Sequence, residues 1–346
     1  MKILSVGWFD RESNTSLHRH KALVKNFKTV DKVDCATKLT FYYRIANKLF
    51  GYGFPISLPD FSNANEKVIR LLRENDYDFV WIDKGITINR STLEYIKIKN
   101  ERTKIIGFSP DNMVLRHNQS QNYLESFDLY DAHITTKSYI INDLIKLGAK
   151  RVIFTNQTFQ EDFHIPQVLS EKEKAQFAAQ IGFVGVWEKE RCDSILFLVD
   201  NGMEVTVYGD GRWNEYKHYS PLLKIKPGVF SSDYPKVLNA LKISLCFLRK
   251  INFDQHTSRS IEIPACGGFM LAERTDEHLS LFQEGDEAEY FSSNEELLEK
   301  CRYYLKNENE RIKIVEKGIH RCKISGYSNS ETIKRLVYEI IDKGKN

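Results

Sequence analysis

The chain repeats one pattern from end to end, in which short apolar segments of strand length alternate with longer segments of helical periodicity. Strands and helices that alternate in this way form parallel sheets with helices on both faces, because each helix returns the chain to the start of the next strand. The alternation pauses over residues 156–180, where Pro166 and the charged run 170–174 are typical of a linker. The sequence therefore predicts an α/β protein of two domains.

Six apolar segments precede the pause and six follow it. The predicted strands lie near residues 2–8, 29–35, 78–83, 103–109, 132–136 and 151–155, and near 181–185, 203–208, 224–230, 243–248, 268–272 and 288–291. Each set predicts a Rossmann-like, doubly wound parallel sheet, and we expect the two domains to face one another across a cleft. We place the N-terminal domain at residues 1–165 and the C-terminal domain at residues 175–327.

The last segment, residues 328–346, carries one further helical pattern. Its apolar side chains recur every three or four residues and form a single stripe, at Ile333, Leu336, Val337, Ile340 and Ile341. We expect this helix to pack back across the N-terminal domain.

Composition limits the environment and the partners of the protein. The chain has 346 residues, of which 42% are hydrophobic and 28% charged, enough for two domains of ordinary size. A net charge of +3 is too small for bulk nucleic-acid binding, so we expect no nucleic-acid partner. The six cysteines form no Cys-x-x-Cys pair, which indicates reduced thiols, and no apolar run approaches the roughly 20 residues that span a bilayer. We expect a cytoplasmic protein, soluble or peripherally attached to a membrane.

The most informative motif is the segment 254–272, which joins two carboxylates, a polar helix start and a Gly-Gly turn into a strand. Asp254 and Glu262 are eight positions apart, about two helical turns, so one acid lies on the helix and the other in the loop before it. Between them a predicted helix start offers hydroxyls, free backbone N–H groups and a fixed cation, at Thr257, Ser258 and Arg259. These groups suit a ligand that carries a diphosphate and hydroxyl groups.

A plainer interpretation of the same segment stays open. A buried helix that ends in Gly267-Gly268 before an apolar strand occurs in many α/β proteins, because glycine permits the left-handed turn that ends a helix. The motif by itself does not choose between a pocket and a packed helix.

Other strand ends of the second half add candidate ligand contacts. Gly185 ends an apolar strand before a charged helix start, where Lys189 and Arg191 are placed to neutralise a diphosphate or, alternatively, to form a solvated first turn. Gly209 belongs to a Gly-Asp-Gly sequence that also suits a tight turn. After the next strand, the main chain is placed to contact a nucleobase edge, at Gly228, Val229 and Phe230.

With these residues the chain resembles the CgeB-like (spore maturation protein type) glycosyltransferases of the GT-B fold, relatives of the glycosyl transferases group 1. The most specific part of the resemblance is the segment 259–274. Further segments of the resemblance are 183–188 and 208–209 in the second half, and 81–85, 108–113 and 130–137 in the first half.

The resemblance implies that the N-terminal domain binds the acceptor and the C-terminal domain binds a nucleotide sugar. Glu262 matches the family glutamate that holds the ribose hydroxyls. Asp254 falls where the wider group often has the first Glu of a Glu-x7-Glu motif, which contacts the donor sugar, although this chain has Asp there and its loop departs from the usual Gly-rich pattern.

The same resemblance indicates the acceptor side. Asp111 follows a strand end where many related transferases carry a His beside the donor sugar, so it is a candidate general base on the acceptor hydroxyl or a sugar contact. An Asp that follows a proline and merely caps a turn is the alternative. Asp83 and Lys84, at another strand end, and His117 are the remaining candidates for this side.

We expect no metal requirement and no other cofactor. Asp76 and Asp78 spell the Asp-x-Asp of metal-dependent transferases, but they precede a predicted strand, whereas ligands collect at the carboxyl ends of strands. The positive charge is expected from helix dipoles and from side chains, namely Lys189, Arg191 and Arg259.

Residues 16–53 combine basic and aromatic side chains. They carry eight Lys or Arg residues against two Asp, and aromatic and aliphatic side chains are interleaved with the basic ones. Such a segment is suited to rest on anionic lipid or to receive a lipid-linked acceptor. Two ordinary amphipathic helices with solvated outer faces are the alternative.

The predicted function is the transfer of a glycosyl group, without metal, from a nucleotide sugar to a hydroxyl of a glycan, a surface-polysaccharide precursor or a lipid-linked acceptor. Two alternatives remain open at the sequence level. One is a nucleotide-sugar epimerase of the same architecture, because a fold does not decide a function. The other is a nucleotide-sugar-binding scaffold without turnover.

Overall fold

A computed structural model describes residues 1–37 and 40–342 and divides the chain into two compact units. The first unit contains Met1–Asn156 and the C-terminal segment that begins at Asn329, and the second unit contains Gln157–Ser328. Residues 157–165, which we had placed in the N-terminal domain, thus belong to the second unit.

The first unit is a six-stranded parallel sheet in the order β2-β1-β3-β4-β5-β6. Its strands are β1 Lys2–Gly7, β2 Thr29–Asp34, β3 Phe79–Asp83, β4 Lys104–Ser109, β5 Ala132–Thr135 and β6 Val152–Phe154. The α-helices between these strands are α1 Thr15–Asn26, α2 Phe41–Gly51, α3 Ala64–Glu74, α4 Arg90–Lys99, α5 Gln121–Glu125 and α6 Ile141–Lys146. All five residues of β3 are buried, as expected for a strand that helices cover on both faces.

The second unit is another six-stranded parallel sheet, in the order β12-β11-β10-β7-β8-β9. Its strands are β7 Ala179–Val184, β8 Val205–Tyr208, β9 Leu223–Lys226, β10 Leu241–Cys246, β11 Met270–Glu273 and β12 Glu289–Phe291. Its helices are α7 Glu171–Phe177, α8 Lys189–Asp200, α9 Asp233–Ala240, α10 Arg259–Ala265, α11 Asp276–Leu281, α12 Asn294–Lys306 and α13 Glu308–Ile324.

All twelve predicted strands are confirmed with small differences at their ends, and the largest difference is at the end of β9. We expected a strand over 224–230, but β9 ends at Lys226. Pro227 follows immediately, and proline has no N–H group to continue a ladder of hydrogen bonds. Residues 228–230 therefore lie in a loop at the carboxyl edge of the sheet.

The last helix, α14 Asn329–Asp342, packs in the core of the first unit. Its apolar stripe contacts the buried face of α1 and the sheet, through Ile333, Leu336, Val337, Ile340 and Ile341. The side-chain amide of Asn26 on α1 also donates hydrogen bonds of 2.9 and 3.0 Å to the carbonyl and hydroxyl oxygens of Ser330.

Each sheet has one point where the strand order reverses. In the first unit, β2 lies on one side of β1 and β3 on the other, and in the second unit β8 and β10 flank β7 in the same way. The connections that leave two such neighbouring strands diverge to opposite sides, which opens a crevice at the carboxyl edge of the sheet. Ligands of doubly wound sheets bind in that crevice, so the candidate sites lie beside β1 and β3 and beside β7 and β10.

Candidate active site

Close packing shapes the crevice of the second unit. The indole N–H of Trp213 donates a hydrogen bond of 3.0 Å to the carbonyl oxygen of Gly185, directly after β7. A Cβ atom at Gly209 would lie 2.4 Å from Cδ1 of Trp213 and 2.5 Å from the carbonyl oxygen of Gly185. Glycine at position 209 is therefore required by the approach of the indole and the neighbouring strand end.

Two arginines converge beside this strand end. The Arg191 side chain is 1% exposed, and its Nη1 donates a hydrogen bond of 3.2 Å to the carbonyl oxygen of Val186. The guanidinium carbons of Arg191 and Arg259 lie 5.7 and 5.9 Å from the ring centroid of Phe183. The guanidinium carbon of Arg259 would also lie 3.6 Å from a Cβ atom at Gly185, so the cation borders the end of β7.

These guanidinium groups are not fully paired. Nε and Nη2 of Arg191 and Nε of Arg259 are buried without a hydrogen-bond partner among the described residues. Nη2 of Arg191 lies 3.7 Å from the Glu188 carboxylate, which is shared with Arg249 at 2.9 Å. Burial, and after it the charge of Arg259, lowers the pKa of Arg191 to about 10, so the group stays charged at neutral pH. The buried Arg191 and the half-buried Arg259 beside it, with Glu188 shared between Arg191 and Arg249, leave an excess of positive charge that favours an anionic ligand.

Lys189 is not part of this cluster. Its side chain is 72% exposed, and its ammonium group pairs with Asp193, one turn further along α8, at 2.5 Å. The helix start predicted to supply two cations to the crevice thus supplies Arg191 alone.

Glu262 on α10 is buried and held by two neighbours. Its carboxylate accepts a hydrogen bond of 2.5 Å from the hydroxyl of Tyr234 and lies 3.6 Å from Nε2 of His164. Burial and the Glu262 charge raise the pKa of Tyr234 well above its usual value, so the phenol keeps its proton. Burial lowers the pKa of His164 to about 3, so the imidazole is neutral. Sequence reasoning missed Tyr234 and His164, because no local pattern connects positions 164 and 234 with 262.

Two buried histidines hold the loop before α10. The backbone N–H of Gln157 donates to Nε2 of His256 at 2.9 Å, so the proton of this imidazole is on Nδ1 and is shared with Glu277 at 2.5 Å. Nδ1 of His278 donates to the carbonyl oxygen of Glu273 at 2.6 Å, and its Nε2 accepts from the hydroxyl of Ser260 at 2.7 Å. Both imidazoles are fully buried and act on the loop by fixing its position.

Our expectation of free N–H groups at the start of α10 is wrong for two of its three residues. The N–H of Thr257 donates to the hydroxyl of Ser260 at 3.0 Å, and the N–H of Arg259 donates to the hydroxyl of Thr257 at 3.3 Å. Hydroxyl side chains near a helix start commonly satisfy its N–H groups in this way. The hydroxyl of Ser258 donates a hydrogen bond of 3.4 Å to the side-chain amide oxygen of Gln157. Positive charge at this edge therefore comes mainly from the guanidinium groups.

Asp254 and the loop 228–230 lie at the same edge of the sheet. Asp254 is buried in the connection that follows β10, directly after Phe253, whose φ of 55° is left-handed. The Asp210 carboxylate accepts a hydrogen bond of 3.2 Å from the N–H of Gly228, so this donor is already used. Beyond Gly228, Val229 is partly buried and Phe230 is exposed.

The first unit has a cavity of about 300 Å³ at its own switch point. It is lined by residues that follow β1, β2, β3 and β4, and by Tyr43 of α2. Asp83 forms part of its wall as half of a buried ion pair, with Nε and Nη2 of Arg19 at 2.7 and 2.6 Å from its Oδ1. Burial raises the pKa of Asp83, and the charge of Arg19 opposes that shift. Arg19 and the indole N–H of Trp81, at 3.1 Å, already donate to the two oxygens of the Asp83 carboxylate.

A second ion pair in the cavity is more accessible. The ammonium group of Lys84 lies 2.7 Å from Oδ2 of Asp111, and the two side chains are 38% and 24% exposed. Lys84 has a left-handed φ of 65°, which is rare for a residue with a Cβ atom and is typical of functional loops. His117 lies in the 3-10 turn Arg116–Asn118 and is not among the residues that line this cavity.

The basic and aromatic segment 16–53 does not form one surface. Arg19 is buried against Asp83, and Lys38 lies outside the described residues. Lys28 immediately precedes β2 and so lies at the amino edge of the sheet, opposite the cavity. Exposed cations beside exposed aromatic side chains are found on α2, where they are Arg44 and Lys48.

Asp78 lies at the amino edge of the first sheet. Its carboxylate accepts a hydrogen bond of 2.7 Å from the N–H of Lys2. Within residues 1–37 and 40–342, no three His, Cys, Asp or Glu side chains are grouped as metal ligands. In the same residues, every helix is too short or too polar to cross a membrane.

Comparison with known proteins agrees with this topology. Residues 192–337 match the family model described as glycosyl transferase-like. HepE from Anabaena, solved in complex with UDP-glucose, is similar with a TM-score of 0.66 and 13% identity over 99% of this chain and 100% of its own. A glycosyltransferase from Rickettsia africae is similar with a TM-score of 0.65 and 11% identity over 100% and 99% of the two chains. The chain has the GT-B fold.

The GT-B fold is also that of proteins with other activities. A putative UDP-N-acetylglucosamine 2-epimerase from Listeria monocytogenes is similar with a TM-score of 0.58 and 11% identity, over 99% of this chain and 96% of its own. No curated protein sequence matches the chain. At such identities the similarity establishes the fold, and the function has to be argued from the site.

Proposed function

We propose that the chain is a cytoplasmic, CgeB-like transferase that moves a glycosyl group from a nucleotide sugar to a hydroxyl of a glycan, a surface-polysaccharide precursor or a lipid-linked acceptor. The observation that carries this proposal is the incompletely paired guanidinium pair of Arg191 and Arg259 at the switch point of the second sheet. A buried guanidinium with a half-buried one beside it favours a ligand with at least two negative charges, and the diphosphate of a nucleotide sugar has that charge. The match of residues 192–337 to a glycosyl transferase-like model supports the proposal.

The proposed donor site uses the residues around this pair. Arg191 and Arg259 bind the diphosphate, and Glu262, which Tyr234 and His164 hold in place, accepts hydrogen bonds from the ribose hydroxyls. The loop 228–230 contacts the base, and Asp254 contacts the donor sugar. UDP sugars are the first candidates, because HepE was solved with UDP-glucose.

The proposed acceptor site is the cavity of the first unit. Asp111 takes the proton of the acceptor hydroxyl as general base, and Lys84, 2.7 Å away, positions its carboxylate. Asp83 shapes the wall through its ion pair with Arg19 and does not contact substrate.

The proposed reaction needs no metal. Negative charge develops on the diphosphate leaving group during glycosyl transfer, and buried guanidinium groups stabilise such charge without having to reorganise. Arg191 and Arg259 therefore supply the charge that a divalent cation supplies in metal-dependent transferases.

A thermal-shift screen tests the donor site. The protein is melted with UDP, GDP, CMP, dTDP and their sugars, with and without EDTA, and a ligand that binds the folded state raises the melting temperature. We expect one nucleotide class to stand out, and we expect Arg259→Gln to reduce that shift. Arg302→Gln, which removes an exposed guanidinium of α12, is the matched control and should leave the shift unchanged. A shift that EDTA abolishes would contradict metal independence, and no shift at saturating nucleotide would favour a scaffold with another ligand.

The epimerase alternative has the similarity to the putative Listeria epimerase in its favour. Product analysis with UDP-N-acetylglucosamine and no acceptor separates the two activities. An epimerase converts the donor, whereas a transferase at most hydrolyses it slowly. Conversion to the 2-epimer would replace the transferase proposal.

A further inference from the structure

Helix α2 of the first unit exposes an apolar stripe. Six large apolar side chains on the helix and directly after it are between 39% and 76% exposed, namely Phe41, Tyr42, Ile45, Leu49, Tyr52 and Phe54. At 100° per residue, those up to Tyr52 fall within one sector of about 100° on the helix surface. Single exposed apolar side chains are common, but a continuous stripe of this size marks an interaction surface.

The opposite face of α2 anchors the helix to its unit. Tyr43 and Phe50 are buried, and the ring of Tyr43 lies edge-on to the ring of Phe61 with centroids 6.2 Å apart. The helix is also capped at its start, where the N–H of Tyr43 donates to the hydroxyl of Thr40 at 3.2 Å. The exposed stripe is therefore a fixed part of the folded surface.

Charge next to the stripe indicates what covers it. Arg44 and Lys48 are exposed on α2 beside the stripe, and neither forms an ion pair with a carboxylate of the described residues. The sequence 40–59 contains no Asp or Glu. A second copy packed through the same stripe about a two-fold axis would add two more cations and no carboxylate from this segment, which is unfavourable. An anionic lipid surface accepts both the apolar stripe and the cations.

We propose that α2 docks the first unit on an anionic membrane surface. The aromatic and aliphatic side chains of the stripe enter the headgroup region, while Arg44 and Lys48 contact lipid phosphates. Tyr43 lines the cavity of the first unit from the inner side of the same helix, so docking brings that cavity to the lipid surface. If the proposed function holds, the acceptor is a hydroxyl compound presented at the bilayer, and this part of the inference rests on the proposed function. The docking of α2 on the membrane does not depend on the proposed function.

Co-sedimentation with vesicles tests the docking. Vesicles of phosphatidylglycerol and phosphatidylcholine are compared with pure phosphatidylcholine at low and high salt. We expect binding to the anionic vesicles at low salt, with a loss of more than tenfold in Arg44→Gln/Lys48→Gln, because each cation near an anionic surface contributes about fivefold. Tyr42→Ser/Leu49→Ser should also lower binding at least tenfold.

Controls separate docking from misfolding and from self-association. Ile98→Ser removes an apolar side chain of α4 that is 82% exposed and should bind vesicles like the parent chain. Unchanged circular dichroism and melting temperature establish that the stripe variants fold. If the double variant Tyr42→Ser/Leu49→Ser does not fold, the single variant Tyr42→Ser replaces it in the vesicle assay. Failure of the parent chain to bind anionic vesicles, binding that survives in the folded stripe variants, or a dimer in light scattering that the stripe variants abolish would each overturn the proposal. Nucleotide binding in the thermal-shift screen is measured separately, so a failure of the donor site is distinguishable from a failure of docking.

Discussion

Tyr234 donates a hydrogen bond of 2.5 Å to the carboxylate of Glu262, although the two residues are 28 positions apart. The contact ties α9 to α10 and leaves the Glu262 carboxylate oriented at the carboxyl edge of the second sheet. A carboxylate that one fixed donor holds in place is preorganised to accept further hydrogen bonds from ligand hydroxyls.

Tyr234→Phe should weaken both the fold and the donor site. The variant leaves a buried carboxylate one hydrogen bond short, which costs about 1–3 kcal/mol. We expect a lower melting temperature and weaker binding of the nucleotide sugar that the screen identifies. Tyr219→Phe is the control, because its hydroxyl donates to Asp200 at the surface. Equal behaviour of the two variants would contradict the role of Tyr234.

Asp111→Asn should remove activity and leave donor binding intact. General base catalysis typically contributes about 10²–10⁴-fold to a rate, and the amide cannot accept the proton of the acceptor. We expect kcat to fall within that range while the nucleotide affinity is unchanged, because Asp111 lies in the first unit. The control is Asp128→Asn, in the exposed pair with Arg90 of the same unit. A loss of nucleotide affinity in Asp111→Asn, or turnover like that of the parent, would exclude the general-base assignment.

Asp83→Asn should destabilise the first unit. The substitution leaves the guanidinium of Arg19, whose side chain is 4% exposed, without its carboxylate. Removing one partner of a buried ion pair costs about 3–5 kcal/mol, because the other charge stays buried and uncompensated. Urea unfolding should show this loss, and Asp143→Asn, in an exposed pair with Lys146, should not. A variant as stable as the parent would show that the pair is dispensable and would return Asp83 to the candidates for substrate contact.

Stability should fall as the pH decreases below about 6.5. Burial lowers the pKa of His133 and His278 to about 4 and that of His164 to about 3. The unfolded chain, with ordinary histidine pKa values near 6.5, then binds more protons than the folded chain between about pH 6.5 and 4. The stabilisation is fully present above pH 6.5 and is lost toward the folded pKa values, at a rate of up to about 1.4 kcal/mol per pH unit for each histidine.

Melting temperatures between pH 7.5 and 5 measure this dependence. His133→Gln should lower the overall stability and also flatten the dependence, whereas His218→Gln, at an exposed position, should leave the curve parallel to that of the parent. A curve for His133→Gln that is as steep as that of the parent would contradict the assignment of a buried neutral imidazole at this position.

The strands were predictable because the cause of the pattern is local. A strand buried on both faces is a short apolar run, and Phe79–Asp83 or Ile181 to Val184 have this character in the sequence alone. The end of β9 was mispredicted because apolar residues, Val229 and Phe230, follow Pro227 in the sequence. The strand ends at Lys226 because proline has no N–H group for the next inter-strand hydrogen bond, and hydrophobicity does not report this.

The candidate site was predictable in part. The segment 254–272 contains Arg259 and Glu262, and their chemical types already suit a diphosphate and hydroxyl groups. The side chains that hold this segment come from elsewhere in the chain: Tyr234 and His164 contact Glu262, and Glu277 fixes His256 in the loop before α10. Their separations of 21 to almost 100 positions follow no helical or strand periodicity, so a sequence pattern contains no signal for them.

The sequence by itself determined the two sheets, the position of the polar motif after β10 and the basic character of the strand ends. Tertiary structure alone decided which cations are buried. Lys189 and Arg191 are two positions apart, yet Lys189 pairs with Asp193 in solvent and Arg191 is buried in the crevice with two of its nitrogens without a hydrogen bond. Arg19 and Arg44 belong to one basic segment, yet Arg19 is buried against Asp83 and Arg44 lies beside the apolar stripe. The type of a side chain is local, but its burial and its partners depend on residues that only the folded chain brings together, and these set its charge environment.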